Sequence, residues 1–347
     1  MSSRLKHRSA RTVVVLCFCV LSVLIIPSAL SRESARSELI RLQQQTELSL
    51  VSVRDNKIYV VSFAKRRLNE PQTLPITATI MIGGFSEDGS KIAVASCKGA
   101  ELIRLTPNHI PCPSGTVLAI LRPDGSDSHV YADLAAPEYM ACWSHDKSKL
   151  ALVVADKRKG RYAPPELQIL DVATGSTQVI PGGAESFVDP QCWSPDDKQV
   201  VYTSDNMGTH GRSSIYDVDC KTSREFSVGT RPTWSPDGTW IALMDCPPSL
   251  WGCKYYAVRP SGREKKLLFK SEAATSLWWS PDSRFVAYVN GASFFERTPP
   301  QLLREMVRLH VRRLEDNSVD SFADFLDGDL MEFQWVKQSQ FKLTDSH

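Results

Sequence analysis

From about residue 48 onward, apolar positions fall in short runs with the two-residue period of strands or with no polar interruption, bounded by Gly, Pro, Asp and Ser. Leu167-Gln168-Ile169-Leu170-Asp171-Val172, Ser214-Ile215-Tyr216-Asp217-Val218 and Tyr255-Tyr256-Ala257-Val258 have strand length and composition. Thr177-Gln178-Val179-Ile180 and Lys266-Leu267-Leu268-Phe269 follow two of them after short polar turns. A weak helical pattern occurs over residues 32–46, which read as a spacer.

Laid in register, the runs repeat. Phe85-Ser86-Glu87-Asp88-Gly89, Trp143-Ser144-His145-Asp146-Lys147, Trp193-Ser194-Pro195-Asp196-Asp197, Trp234-Ser235-Pro236-Asp237-Gly238 and Trp279-Ser280-Pro281-Asp282-Ser283 are copies of one unit. Seven and eight residues after each aromatic comes an apolar pair: Ile92-Ala93, Leu150-Ala151, Val200-Val201, Ile241-Ala242 and Val286-Ala287. A degenerate sixth copy centres on Trp335, and successive aromatics are 58, 50, 41, 45 and 56 residues apart. Ser-Pro-Asp-Gly is a tight-turn sequence: Pro presets φ, Ser and Asp bond nearby N–H groups, and Gly accepts a positive φ. The turn joins two antiparallel strands, and a loop, a third strand, a short turn and a fourth strand complete the unit. Four strands per 40–58 residues is the period of a propeller blade.

The recurring W-S-P-D-G followed by an apolar strand resembles the TolB-type propeller repeat over everything after residue 45. Units begin near residues 79, 138, 187, 230, 275 and 330. The last is short, and strands at Leu48–Val53, Ile58–Phe63 and Leu74–Ile80 complete it. The expectation is an all-β, six-bladed propeller over residues 47–347, its ring closed by N- and C-terminal strands in one sheet. The resemblance implies an envelope interaction module. TolB itself carries an additional N-terminal α/β domain, for which fewer than about 20 residues are present between residue 31 and the first strand.

Residues 1–31 differ in kind. Arg4, Lys6, Arg8 and Arg11 precede an apolar stretch from Thr12 to Ile26, and Ala29 and Ser31 form a small-x-small site. This reads as a secretory signal cleaved after Ser31, with an uncleaved anchor as the alternative, since Thr12–Leu30 approaches the ~20 residues of a spanning helix. The predicted location is extracytoplasmic or periplasmic, in contact with the membrane only if the segment is retained. The formal charge of +2 becomes −2 when the segment's four cations are removed, and neither value suits a nucleic-acid binder.

Blade topology assigns the candidate chemistry to one face. The Ser-Pro-Asp-Gly turns share a face with the third-to-fourth turns, and the longer second-to-third links open on the other. Those links carry Arg158, Arg161, Tyr162, His210, Arg212, Trp251, Phe294, Phe295 and Arg297, a basic and aromatic set suited to an acidic protein segment or another anion. Solvated loop chemistry explains the same residues without a ligand.

Seven cysteines follow residue 31. Cys97 and Cys246 each lie 12 residues after a repeat aromatic and have partners in the same link, which predicts the disulfides Cys97–Cys112 and Cys246–Cys253 in an exported chain. Cys142 and Cys192 each precede a repeat Trp on adjacent inner strands, where they either pair across blades or serve as small buried residues; Cys220 is left over. No C-x-x-C, H-E-x-x-H, G-x-S-x-G or dinucleotide fingerprint occurs, so no catalytic residue, metal or cofactor is assigned. The recurring Asp88, Asp146, Asp196, Asp237 and Asp282 belong to turns. The expected function is a non-enzymatic scaffold for a protein or envelope partner. The alternative is a propeller enzyme of lyase, cyclase or lactonase type with its site at the channel mouth.

Overall fold

The computed structural model describes residues 34–337, apart from 55–56, 70–71, 76–78, 98–115, 132–133, 136–139, 157–165, 183–186, 206–210, 248–250, 274–276, 291–307 and 323–332. Among the described residues one helix, α1 (Ala35–Thr46), leads into six antiparallel sheets arranged as the blades of a propeller.

Blade 1 contains β1 (Leu48–Arg54), β2 (Lys57–Ser62) and two short outer pieces, β3 (Arg67–Leu68) and β4 (Gln72–Thr73), both on β2. Blade 2 runs outward as β5 (Thr79–Phe85), β6 (Ile92–Cys97), β7 (Thr116–Leu121) and β8 (His129–Tyr131). Blade 3 adds β9 (Leu134–Ala135) to the regular series β10 (Ala141–Trp143), β11 (Lys149–Asp156), β12 (Glu166–Asp171) and β13 (Thr177–Val179). Blade 4 has β14 (Gln199–Asp205), β15 (Arg212–Asp217) and β16 (Thr222–Val228), and its inner member is reduced to two bridges, Phe187 with Thr203 and Trp193 with Val200. Blade 5 is β17 (Thr230–Trp234), β18 (Ile241–Asp245), β19 (Trp251–Val258) and β20 (Lys265–Ala273). Blade 6 is β21 (Leu277–Trp279), β22 (Phe285–Asn290), β23 (Arg308–Arg313) and β24 (Val319–Phe322). The chain returns as β25 (Gln334–Lys337), which pairs with β1 from Leu48 opposite Lys337 to Val51 opposite Gln334 and closes the ring. The expected strand at Leu74–Ile80 is not one element. Thr79 and Ile80 belong to the inner strand of blade 2, and Pro75, which has no N–H to donate, interrupts the run before them.

All five repeat turns are built alike. The serine hydroxyl donates to the aspartate two residues on, at 2.5–2.7 Å in each copy. It also accepts the backbone N–H of Lys91, Lys149, Gln199, Trp240 or Phe285 at 2.9–3.0 Å. The same aspartate accepts the N–H of Ser90, Ser148, Lys198, Thr239 or Arg284. All five serines are buried, so each hydroxyl has exchanged water for two partners inside the turn.

The fifth turn position always has positive φ, and it is Gly89 and Gly238 in two copies but Lys147, Asp197 and Ser283 in the other three. Each of those three side chains reaches the preceding blade. Lys147 pairs with Asp88 at 2.7 Å, Asp197 accepts the N–H groups of His145 and Asp146 as well as the His145 Nδ1 contact at 2.8 Å, and Ser283 accepts from the N–H of Asp237. A left-handed non-glycine costs about 1 kcal/mol, and these inter-blade bonds offset it. The repeat aromatics bond in the same direction: Trp143, Trp193 and Trp279 donate Nε1–H to the carbonyls of Gly84, Cys142 and Thr233 on the preceding blade.

The segment read as a spacer carries α1, which is capped by Ser34 and has Ala35, Leu39 and Leu42 along one stripe. These pack with Phe285, Val311 and Trp335 at the junction of blades 6 and 1. Glu38 on the same helix bonds Arg313 at 3.0 Å and Arg284 at 2.9 Å, and Arg36 donates to the carbonyls of Phe63 and Ala64. The helix therefore fills the seam where the ring is closed.

Two disulfides are present among the described residues. Cys142–Cys192 joins the inner edges of blades 3 and 4 with a Cα separation of 6.0 Å, and Cys246–Cys253 links the end of β18 to β19 at 4.2 Å. Cys112 and the Cys97 side chain lie outside the described residues, and Cys220 is a free, exposed thiol.

The His145–Asp197 contact makes the bond between blades 3 and 4 pH-dependent. Hydrogen bonding to Asp197 raises the His145 pKa above 6.5 although burial opposes it; burial also opposes ionisation of Asp197, yet its bonds from His145 hold its pKa below 3.8. The histidine contribution is complete below pH 6.5 and is lost as pH rises through the folded value, and the aspartate contribution is lost as pH falls below 3.8. His145 is 40% exposed, so the pair contributes only about 0.3–1 kcal/mol. Denaturant melts of the protein and of His145→Gln should differ by that amount at pH 5–6 and converge toward pH 9. A difference that stays constant to pH 9 contradicts the coupling.

Candidate recognition face

The repeat turns place one end of every inner strand on a face whose backbone donors are committed to the ring. The other ends lie on the opposite face, bracketed by the termini of the second and third strands. There the described residues gather one group of side chains that the repeat does not require, at the inner rim of blades 4 and 5.

Its centre is Asp189, fully buried, with an oxygen 2.9 Å from Nη1 of Arg231, which is itself only 16% exposed. Asp189-Pro190 and Arg231-Pro232 occupy corresponding stretches four and three residues before Trp193 and Trp234. Proline has no N–H and restricts the residue before it, so the inner strand cannot run as a regular ladder at either place. Blade 4 accordingly keeps only its two bridges, and the β17–β18 register shifts between Thr230 and Thr233. Arg231 takes φ +54° and Gln191 φ +66°, both left-handed.

Surrounding bonds hold these backbones in place. The Arg231 N–H donates to Oγ1 of Thr203 at 3.0 Å, and its guanidinium lies 5.6 Å from the centroid of Phe187. Ser213 donates to the carbonyl of Gly229, whose φ of +128° and near approach to Met244, where a Cβ would lie 2.8 Å from the carbonyl oxygen, admit only glycine. The Gln191 carboxamide accepts from the N–H of Trp279 at 2.9 Å and donates to its carbonyl at 3.0 Å, joining blade 4 to blade 6 past blade 5. Trp234 donates its backbone N–H to Gln191, and its indole Nε1 is buried without a partner, unlike the three repeat tryptophans bonded to a preceding blade.

Of the residues expected to form a binding set, Arg212 is described in full. It starts β15 on this face and is half-exposed, with its guanidinium bonded to both Glu225 oxygens at 2.9 Å. Trp251 begins β19, but its side chain lies outside the described residues, as do Arg158, Arg161, Tyr162, His210, Phe294, Phe295 and Arg297. The rim pair escapes repeat-based reading because neither residue recurs in the repeat. The signal available was a charged residue directly before proline in two adjacent inner strands. Among the described residues no group of three His, Cys, Asp or Glu side chains is placed to hold a metal ion, and no helix is long and apolar enough to cross a membrane.

Removing one partner of a buried ion pair leaves the other charge desolvated. Arg231→Met should therefore cost about 3–5 kcal/mol in denaturant unfolding, whereas the Asp189→Leu, Arg231→Met double variant should recover most of it. Equal losses in both would contradict the buried-pair reading.

No known protein-family pattern matches the chain. Among solved structures the fold is similar to TolB from Acinetobacter baumannii, at 15% identity and a TM-score of 0.54 over 83% of this chain and 66% of that one. The chain thus spans just under two thirds of that protein. It is also similar to a putative TolB from Agrobacterium tumefaciens, at 17% identity and a TM-score of 0.52, covering 83% of this chain and 90% of that one. A chain of a nidogen/laminin complex matches at 11% identity and a TM-score of 0.54, over 82% of this chain and 96% of that one. At these identities the likeness is one of fold.

Proposed function

We propose that this TolB-like propeller is an exported, non-enzymatic scaffold that binds a protein or cell-envelope partner on the face opposite its repeat turns. The observation that carries the reading is the rim of blades 4 and 5. A desolvated Asp189–Arg231 pair and two left-handed residues outside the repeat turns cost free energy there, and neither feature is part of the repeat. Features that are costly and unnecessary to the repeat fit a recognition surface better than a structural one.

The links carrying Arg158, Arg161, Phe294 and Phe295 attach on this same face, where they would extend the rim outward. The basic and aromatic content suits an acidic protein segment, with aromatics supplying area and arginines the charge-assisted bonds. Export accords with the signal-like residues 1–31 and with the two disulfides, which persist in oxidising compartments. TolB and nidogen/laminin propellers share the fold, and fold alone does not transmit function.

Site-specific photo-crosslinking in the native envelope tests the reading. A crosslinker at Arg212 should capture a discrete partner, one at Lys221 in a turn on the opposite face should not, and the combined Arg158→Glu, Arg161→Glu, Phe294→Ala, Phe295→Ala variant should lose the Arg212 product. Capture from Lys221 alone, or capture unchanged in the combined variant, contradicts the assigned face. A mature N-terminus at Arg32 and Cys142–Cys192 peptides linked under non-reducing conditions are the accompanying results expected for export. Fully alkylated Cys142 and Cys192 would contradict it.

A further inference from the structure

Two neighbouring seams of the ring are built to one plan, and only one of them is filled. At the junction of blades 6 and 1, Phe285 lies opposite Arg313 in the β22–β23 ladder, with the Arg313 guanidinium 5.9 Å from the ring centroid. Val311 and Trp335 complete the wall, and α1 lies in the seam with Ala35, Leu39 and Leu42 in the apolar cluster and Glu38 bonded to Arg313.

One blade back, the register gives the same arrangement. Trp240 stands where Phe285 stands, six residues after the repeat aromatic, and continuing the β18–β19 pairing of Ile241 with Val258 sets Arg259 opposite it. Arg259 stacks on Trp240 at 3.9 Å. Ala257 takes the place of Val311 and Trp279 that of Trp335. Each arginine also has one carboxylate from its own following turn, Glu264 for Arg259 and Asp316 for Arg313, both at 3.2 Å. Where α1 would lie there is instead a cavity of about 270 Å³ whose lining includes Trp240, Ala257, Leu268, Trp279, Leu314 and Lys266. Two carboxylates also line it, Asp237, which accepts from Ser235 and Thr239, and Glu315, 3.9 Å from Arg284. The seam beyond it is closed by stacked Tyr255, Phe269 and Tyr288, so the opening is confined to the end nearer the repeat turns. Burial reflects the difference: Arg313 is 5% exposed beneath Glu38, and Arg259 is 39% exposed.

We propose that the groove between blades 5 and 6 seats an amphipathic helix of a partner protein, one that carries a carboxylate beside its apolar stripe as Glu38 does. The chain's own helix defines the occupant: a small residue at i, an acid at i+3, and leucines at i+4 and i+7. Leucines of that stripe would cover Trp240 and Leu268, and the acid would meet Arg259 and Lys266. The mode is helix-in-groove recognition, with charge complementarity fixing the helix direction. The proposal rests on the reading of the chain as a protein-binding propeller and adds a surface separate from the long-link face.

The probe is a fluorescent, side-chain-stapled peptide of residues 34–46, stapled because a free helix of this length is marginal in water. Titrated into the full chain, it should bind saturably at about 1 mM or below and change Trp240 fluorescence. Arg259→Glu, or the exposed Lys266→Glu should the first variant fold poorly, should weaken it by about tenfold or more. The peptide with Glu38→Arg should regain binding to Arg259→Glu. No saturation, or binding indifferent to both groove variants, overturns the proposal. So does sensitivity confined to Arg313→Glu, which marks exchange with the resident helix, or dimers of the chain that block the peptide, which mark a second copy as the occupant. Because photo-crosslinking at Arg212 probes the opposite face, loss of peptide binding here and loss of partner capture there are independent results.

Discussion

The ring depends on one buried hydroxyl per repeat. In each of five turns a serine hydroxyl donates a hydrogen bond to the aspartate two residues on and accepts the backbone N–H of the residue that opens the next strand. That exchange fixes the geometry of the turn, which sets where the following position points. When that position is glycine it is merely compact. When it is Lys147, Asp197 or Ser283, the left-handed backbone aims a side chain at the previous blade and turns a local hairpin into a contact around the ring. Trp143, Trp193 and Trp279, bonded back to the preceding blade from the other end of the turn, add a second connection at their junctions.

This division of labour explains where asymmetry is tolerated. The turn face is committed to holding blades together. At the opposite ends of the inner strands nothing in the repeat prescribes the residues, and there blade 4 gives up its inner ladder for two bridges, a buried ion pair and a Gln191 side chain that crosses to blade 6. The second departure is at the seams. Where β25 returns to β1, α1 supplies the apolar cover and the Glu38 carboxylate; one blade earlier the same aromatic and arginine stand with a cavity beside them. Both departures lie where the repeat prescribes no residue.

Much of the fold was legible because the repeat is chemical as well as hydrophobic. Ser86, Ser144, Ser194, Ser235 and Ser280 and their aspartates mark the turns directly, and the apolar pairs that follow mark the second strands, so blade number and the closing strand pair follow from counting. The outer part of blade 1 differs from expectation because Leu74–Ile80 has strand composition, and only the placement of Pro75 separates it into a blade edge and the next inner strand. The role of residues 35–46 was hidden by brevity: three apolar residues and one acid are a weak pattern until Phe285 and Arg313 are brought opposite them. Asp189 and Arg231 were invisible to repeat logic for the reason that makes them informative, since a residue that serves one blade alone does not recur. The expected binding residues fell in the links that repetition leaves undetermined, so sequence could place them on a face without giving them a geometry.

If the buried hydroxyls hold the ring together, the serine-centred turns open only when the whole ring does. Native-state hydrogen exchange of the amides of Lys91, Lys149, Gln199, Trp240 and Phe285, each bonded to a serine oxygen, measures this directly. All five should exchange with the free energy and denaturant dependence of global unfolding, like the central strands of their blades. Exchange of these amides through local, denaturant-independent opening, while the strands remain protected, would contradict the dependence of the ring on its turns.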